Sequence, residues 1–269
     1  MTPETINAVA DEDEDESPRT STFKALLGST LTFAAIILVW EFLVRYLEIR
    51  SWLLPAPSEI VYAMVDWRAE LAGHFLVTLY ETLIGFGLAI VISVPLAVLI
   101  VYSPVLQNTI YPILLVFQSV PKVAIAPLLA LWIGFGMLPK IVVVFLVCFF
   151  PIIVATATGL SAIPPSLMEL IRSLSASTLQ TFIKIRFPTA MPHIFVGLKI
   201  AVTFAVIGAV IGEFVGSESG LGYLILISTS QSRTPLAFGA LVLLTIMSIA
   251  LYYGIAFIER IVVPWAPRS

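Results

Sequence analysis

Four ionisable side chains stand inside or at the edges of long apolar runs, Glu81, Lys122, Lys199 and Glu213, and they are the groups best placed to do chemistry. A charge at bilayer depth is costly, so such a group normally faces a partner or a water-filled path. Lys122 follows Pro121, and with Gln118, Ser119 and Pro127 it interrupts an apolar run, where a broken helix can present backbone groups to a path. A path or gate role for Lys122 stands beside a plain interhelical pair. Glu213 ends another run beside a glycine-rich turn, and either lines or gates a path or is solvated at the interface. Glu81 and Lys199 lie near the starts of their runs and are expected to snorkel to an interface.

Nothing around these charges makes a catalytic set. The segment GSESGLG, Gly216 to Gly222, invites a phosphate-cradle reading, but no strand precedes it, and a re-entrant turn on the outer side is expected instead. Ser217 and Ser219 have no nucleophile elbow and no histidine nearby. His74 and His193 fall at opposite expected faces and cannot share a metal ion within one chain; His74 reads as interfacial. The single cysteine, Cys148, lies in an apolar run and reads as a small buried hydrophobe. No catalytic residue, metal, cofactor or nucleic-acid partner is expected.

The elements that must position these residues are membrane helices. Of 269 residues, 59% are hydrophobic and 12% charged, and the mean hydropathy is +1.03. That balance excludes a soluble domain and defines an all-α polytopic membrane protein in contact with lipid. At about 20 apolar residues per crossing, six spans are expected, near 26–47, 75–101, 110–133, 138–160, 194–215 and 236–262. Residues 48–74 suit an interfacial helix after the turn Pro55-Ala56-Pro57, with Trp52, Tyr62 and Trp67 as anchors. The organisation expected is a tail over 1–24, a first span with its interfacial segment over 25–74, and a core over 75–265 containing a polar insert at 161–192.

The net charge of −3 is unevenly spread. Residues 1–24 hold seven acids, Glu4 and Asp11 to Glu16, against Arg19 and Lys24. This self-repelling stretch is expected to be a solvated, disordered tail, and it does not resemble a secretory signal. With the N-terminus inside, seven cations (Arg19, Lys24, Arg172, Lys184, Arg186, Arg260, Arg268) face five outside (Arg45, Arg50, Arg68, Lys140, Arg233). The excess places both termini and the insert in the cytoplasm.

The insert reads SLMELIRSLSASTLQTFIKIRFPTAMP from Ser166 to Pro192. Pro164 and Pro165 suit a helix's first turn, and Glu169 and Arg172 share a face. Leu167, Leu170, Ile171 and Leu174 form an apolar stripe. Ser175 and Ser177 supply a break and an N-cap for a second helix, Thr178 to Ile185, which Pro188 is expected to end before Pro192 opens the fifth span. Physics alone leaves a docking element and an amphipathic connector lying on the membrane equally open.

At these residues the chain resembles the permease subunits of bacterial ATP-binding cassette importers, whose cytoplasmic motif is E-A-A, three residues, G, nine residues, I-x-L-P. Glu169, Leu170 and Ile171, then Ser175, then Ile185 and Pro188 keep every spacing, while both alanines, the glycine and the leucine differ. QSVPKVAIAP (118–127), LWIGFG (131–136) and GEFVGSESGLGY (212–223) resemble the nitrate/taurine/sulfonate branch, with features closer to its pyrimidine-precursor and riboflavin members. The resemblance implies a type I importer permease fold and a coupling insert that docks on a separate ATPase through Glu169, Leu170, Ile171, Arg172, Ser175, Ala176, Ile185 and Pro188. It further implies two ATPase subunits, a second permease copy in a homodimer, an extracytoplasmic solute-binding protein and a bacterial inner-membrane location. The absence of a G-x-x-x-x-G-K-[ST] phosphate loop agrees with ATP hydrolysis on another chain. Gln118, Ser119, Lys122 and Glu213 are the candidates for its path or gate. A secondary transporter or channel remains the alternative, although no internal repeat is visible.

Overall fold

The computed structural model describes residues 18–265. The acidic run Asp11 to Glu16 lies outside them. All regular structure among the described residues is helical. We number the helices α1 (Pro18–Tyr46), α2 (Pro57–Asp66), α3 (Arg68–Tyr102), α4 (Pro104–Gln118), α5 (Lys122–Ile133), α6 (Met137–Ser161), α7 (Pro165–Ser173), α8 (Thr178–Phe214), α9 (Leu221–Ser230) and α10 (Thr234–Val262). Proline at the first helical turn opens α2 and α4, where its missing N–H has no partner to lose. A helix stands where one is expected after the Pro55-Ala56-Pro57 turn, as α2. Its first turn is fixed by a carboxylate of the preceding span, since Glu41 accepts from the Ser58 N–H at 3.0 Å and the Ser58 hydroxyl at 2.8 Å.

Among the described residues, five helices are long and apolar enough to cross a membrane, and the α4–α5 pair makes a sixth candidate. The third span, expected over 110–133 with an interruption around Gln118 to Pro127, is two helices bent by 95° at residues 119–121. Pro121 is the reason: without an N–H it cannot continue the ladder, and the residue before it is driven out of the α region. Side-chain contacts show that this bent pair still carries the chain across. Tyr102 at the end of α3 stacks edge-on against Phe182 beside the insert, at 5.7 Å. Lys140 at the start of α6 meets Glu81 in the first half of α3, at the opposite end of the bundle. The segment between Tyr102 and Lys140 must therefore run from one end of the bundle to the other, so α3 and α6 run parallel and the bent pair counts as one candidate span. The second span is longer than expected, beginning at Arg68 instead of residue 75.

The core forms where α8 packs along α6 with α3 and α10 around them. Gly197, Ala201, Ala205, Gly208 and Gly212 make a small-residue stripe on α8 that lets the two backbones approach closely. A Cβ on Gly208 would stand 3.1 Å from the Val144 Cα, and one on Gly212 3.0 Å from the Lys140 Cα. The stripe draws α6 and α8 together along most of the bilayer.

Candidate functional site

Two constellations stand at opposite ends of α8, the insert at its N-terminal end and a buried polar cluster at its C-terminal end. The insert begins with α7 and closes in a Schellman-type turn, in which the Ala176 N–H donates to the Ile171 carbonyl at 3.4 Å. Ser175 occupies the residue of that turn that must be left-handed and has φ +54°. Serine thus adopts the conformation for which glycine is the usual choice, and the bend survives the substitution. Ser177 then caps α8: its hydroxyl accepts from the Gln180 N–H at 3.2 Å while the Gln180 side chain accepts from the Ser177 N–H at 3.0 Å.

The second helix of the insert does not end at Pro188 as expected. It continues unbroken to Phe214 as α8, because Phe182–Arg186 form a π turn closed by the Phe187 N–H on the Phe182 carbonyl. The wider ring makes room for a proline that a regular α ladder would exclude. The apolar stripe also divides. Ile171 is buried, whereas Leu170, Leu174 and Leu179 are 55%, 71% and 67% exposed, and Glu169 is exposed beside them. Arg172 lies in α7, with its side chain outside the described residues. Behind the turn, Arg186 sits over the Tyr102 ring at 5.1 Å and the Trp265 indole N–H donates to the Pro188 carbonyl at 3.3 Å. The base of the insert is therefore tied to α3 and to the segment after α10.

At the other end, Glu81 and Glu213 are 0% and 1% exposed and Lys140 is 6% exposed. Glu81 does not snorkel: it forms an ion pair with Lys140, whose ammonium also donates to the Ser217 hydroxyl at 3.0 Å. Glu213 is buried instead of solvated at an interface. Its carboxylate accepts from the Thr78 hydroxyl at 2.6 Å and from the Gly222 N–H at 2.5 Å. The Leu221 N–H donates to Thr78 at 2.8 Å, and the Gly220 N–H to the His74 Nδ1 at 2.9 Å. The glycine-rich turn is thus an anion cradle after all, and the anion is the chain's own Glu213 at the positive end of α9. A Cβ on Gly220, at φ +111°, would fall 2.1 Å from the Glu213 Oε1.

Of the remaining candidates, Gln118 and Ser119 are exposed at the α4–α5 break. Lys122 donates to the Gln118 carbonyl at 2.5 Å and sits over the Phe150 ring at 5.0 Å, so its charge rests on a helix C-terminus and a ring face. Phe150 lies ten residues along α6 from Lys140, about 15 Å at the helical rise. Lys122 and Glu213 therefore stand at different depths. Lys199 is half-buried in an ion pair with Glu259 at 2.9 Å instead of snorkelling alone. Sequence reasoning missed His74, Thr78 and Lys140 as cluster members. Two intramembrane carboxylates, which demand a cation nearby, were the available signal for Lys140.

A helical bundle of five or six candidate spans with an exposed two-helix turn has the architecture of a membrane permease. Comparison places it within that class: the chain belongs to the family described as the binding-protein-dependent transport system inner membrane component, matched over residues 87–266. A probable ABC transporter permease protein of Haemophilus influenzae is 34% identical over 86% of this chain and 94% of its own length. The formylaminopyrimidine transport permease protein of Halalkalibacterium halodurans is 34% identical over 90% and 97%, and the riboflavin transport system permease protein of Chloroflexus aurantiacus 33% over 89% and 90%. Inward-facing structures of the MetNI methionine ABC transporter share the fold, with a TM-score of 0.61 at 24% identity over 74% of this chain and 95% of that one. The chain is a multi-pass inner-membrane permease subunit of an ABC importer, a family that works with separate ATPase subunits and solute-binding proteins.

Proposed function

We propose that two copies of this chain form the translocation path of an importer, with both termini and the insert in the cytoplasm and each insert held by one ATPase subunit. The observation that carries this reading is the trio Leu170, Leu174 and Leu179, exposed on a rigid turn at the end of a membrane-spanning helix. Exposed leucines on a capped, anchored turn suit an apolar cleft on a partner protein. Within the expected set, the exposed Glu169 and Leu170 make the contact. Ile171, Ser175, Ala176, Ile185 and Pro188 hold the shape, since Ile171 is buried, Ser175 sets the bend and Pro188 sits behind the π turn.

Gln118, Ser119 and Lys122 at the broken span are the groups we assign to the path, and Glu213 to the outer gate. The solute is an uncharged or weakly charged heterocycle of the pyrimidine-precursor or riboflavin kind. Relatives named for formylaminopyrimidine and riboflavin transport are 34% and 33% identical, against 28% and 23% for those named for aliphatic sulfonates and taurine. Co-purification with the ATPase encoded alongside, followed by assay of Glu169→Lys and of a deletion of 173–177, tests the coupling role. Both variants are expected to insert normally and to lose transport-coupled ATPase activity; wild-type stimulation in either overturns it. Uptake of labelled taurine in preference to the heterocycles would overturn the solute assignment.

A further inference from the structure

The outer cluster has no role in the reading above beyond lying at a gate, yet its geometry is specific. Three successive backbone donors at the start of α9, on Gly220, Leu221 and Gly222, are each taken by a side chain from another segment: His74 and Thr78 of α3 and Glu213 of α8. Lys140 of α6 adds a bond to Ser217 in the loop before α9 while pairing with Glu81 of α3. Three spans thus converge on one short helix and its leading loop, and the charged groups among them, Glu81, Lys140 and Glu213, are buried where a misplaced charge costs most. Glu213 is also the penultimate residue of α8, the helix whose other end is the capped turn with its exposed leucines. Thirty-seven residues in one helix span about 55 Å, and the glycine and alanine stripe seats α8 on α6 along its length.

We infer that Glu213 is a positioning residue for transport, which fixes the outer loop and α9 to α8 so that displacement of the cytoplasmic turn moves the outer mouth with it. The inference rests on the importer reading, because the displacement is supplied by the ATPase gripping the insert. Rigid seating alone would join α8 to α6; the carboxylate is what extends the union to the loop and to α9, since Gly222 and, through Thr78, Leu221 are held by it. Two glycines are required for this grip: a side chain on Gly220 or Gly222 would occupy the space of the Glu213 carboxylate.

The test uses the complete complex of permease, ATPase and lipid. Cys148 is fully buried and is the chain's only cysteine, so Glu218→Cys, at an exposed loop position, reports alone to a membrane-impermeant thiol reagent. Its labelling rate is compared between the nucleotide-free and the vanadate-trapped complex. In the parent the two rates should differ at least about fivefold, the lower end of ordinary coupling between sites. Adding Glu213→Gln should bring the ratio close to one while the ATPase still co-purifies. Thr78→Val, which removes one bond to Glu213 and one to Leu221 at nearly constant volume, should reduce the ratio in the same direction, and it decides the matter if the Gln variant does not assemble. General loosening would raise both rates and leave the ratio unchanged, which overturns the inference. A parent complex with no difference between states defeats the importer reading itself, whereas a parent difference that both variants retain defeats only the role of Glu213.

Discussion

Ser175 shows how a single position carries a fold requirement that its residue type resists. A left-handed L-residue costs roughly 1–2 kcal/mol, and glycine gives back roughly 0.5–1 kcal/mol of that in backbone entropy. Ser175→Gly should therefore stabilise the turn by about 0.5–1 kcal/mol, read as amide hydrogen exchange about two- to fivefold slower across residues 174–177. Ser175→Val, β-branched at positive φ, should speed the same exchange and weaken retention of the ATPase. A second residue-scale prediction concerns Lys140. Removing its ammonium leaves two buried carboxylates facing each other without a cation, and breaking a buried pair in this way costs about 3–5 kcal/mol. Lys140→Met should depress the yield of folded protein, and the double variant Glu81→Leu with Lys140→Met should recover part of it; a double variant no better than the single would show that the pair is not the cause. The insert's residues could be read from the sequence because caps, bends and stripes act over three or four positions. The cluster could not, because Thr78 and Glu213 are 135 positions apart and His74 and Gly220 are 146 apart. Lys140, two residues into an apolar run, reads as a loop cation because its partner Glu81 is 59 positions away.

At the scale of elements, apolar length gave the spans, whereas their continuity depended on details that hydropathy does not weigh. Pro121 splits the third span, but Pro188 is absorbed by a π turn, and Pro95, Pro112, Pro127, Pro151 and Pro192 all lie inside helices. Pro121 instead stands as the N-cap of α5, where the helix before it has already ended at Gln118. The α6–α8 contact carries the clearest prediction at this scale. Without a hydrophobic drive between helices in lipid, close packing of small residues is the main source of association. Gly208→Leu would force a side chain against the Val144 backbone, already 3.1 Å from a Cβ there, and overpacking of this kind costs about 1–3 kcal/mol or more. The variant should lower the thermal midpoint of the purified chain, while Gly87→Leu, on α3 where a Cβ meets nothing within 4 Å, should leave it within error. Equal effects would mean that the stripe is not what joins the two helices.

For the whole molecule, sidedness follows from contacts as much as from charge. The Tyr102–Phe182 stacking and the Glu81–Lys140 pair oblige the bent α4–α5 unit to run from one end of the bundle to the other, and the Trp265 bond to Pro188 puts the end of α10 on the side of the insert. Counting loop cations gave seven against five, but Lys140 is buried in the cluster and does not belong to a loop. Its removal leaves seven against four, and the excess of Lys and Arg marks the cytoplasmic side. Ser175→Cys and Glu218→Cys, each exposed and each on the Cys148 background, should therefore behave as opposites in intact cells. An impermeant thiol reagent should label Glu218→Cys at once and Ser175→Cys only after the membrane is opened. Labelling of both from outside would mean that the bent pair does not cross. The reverse pattern would keep the six crossings but turn the molecule over, leaving the exposed leucines of the insert facing away from any cytoplasmic ATPase.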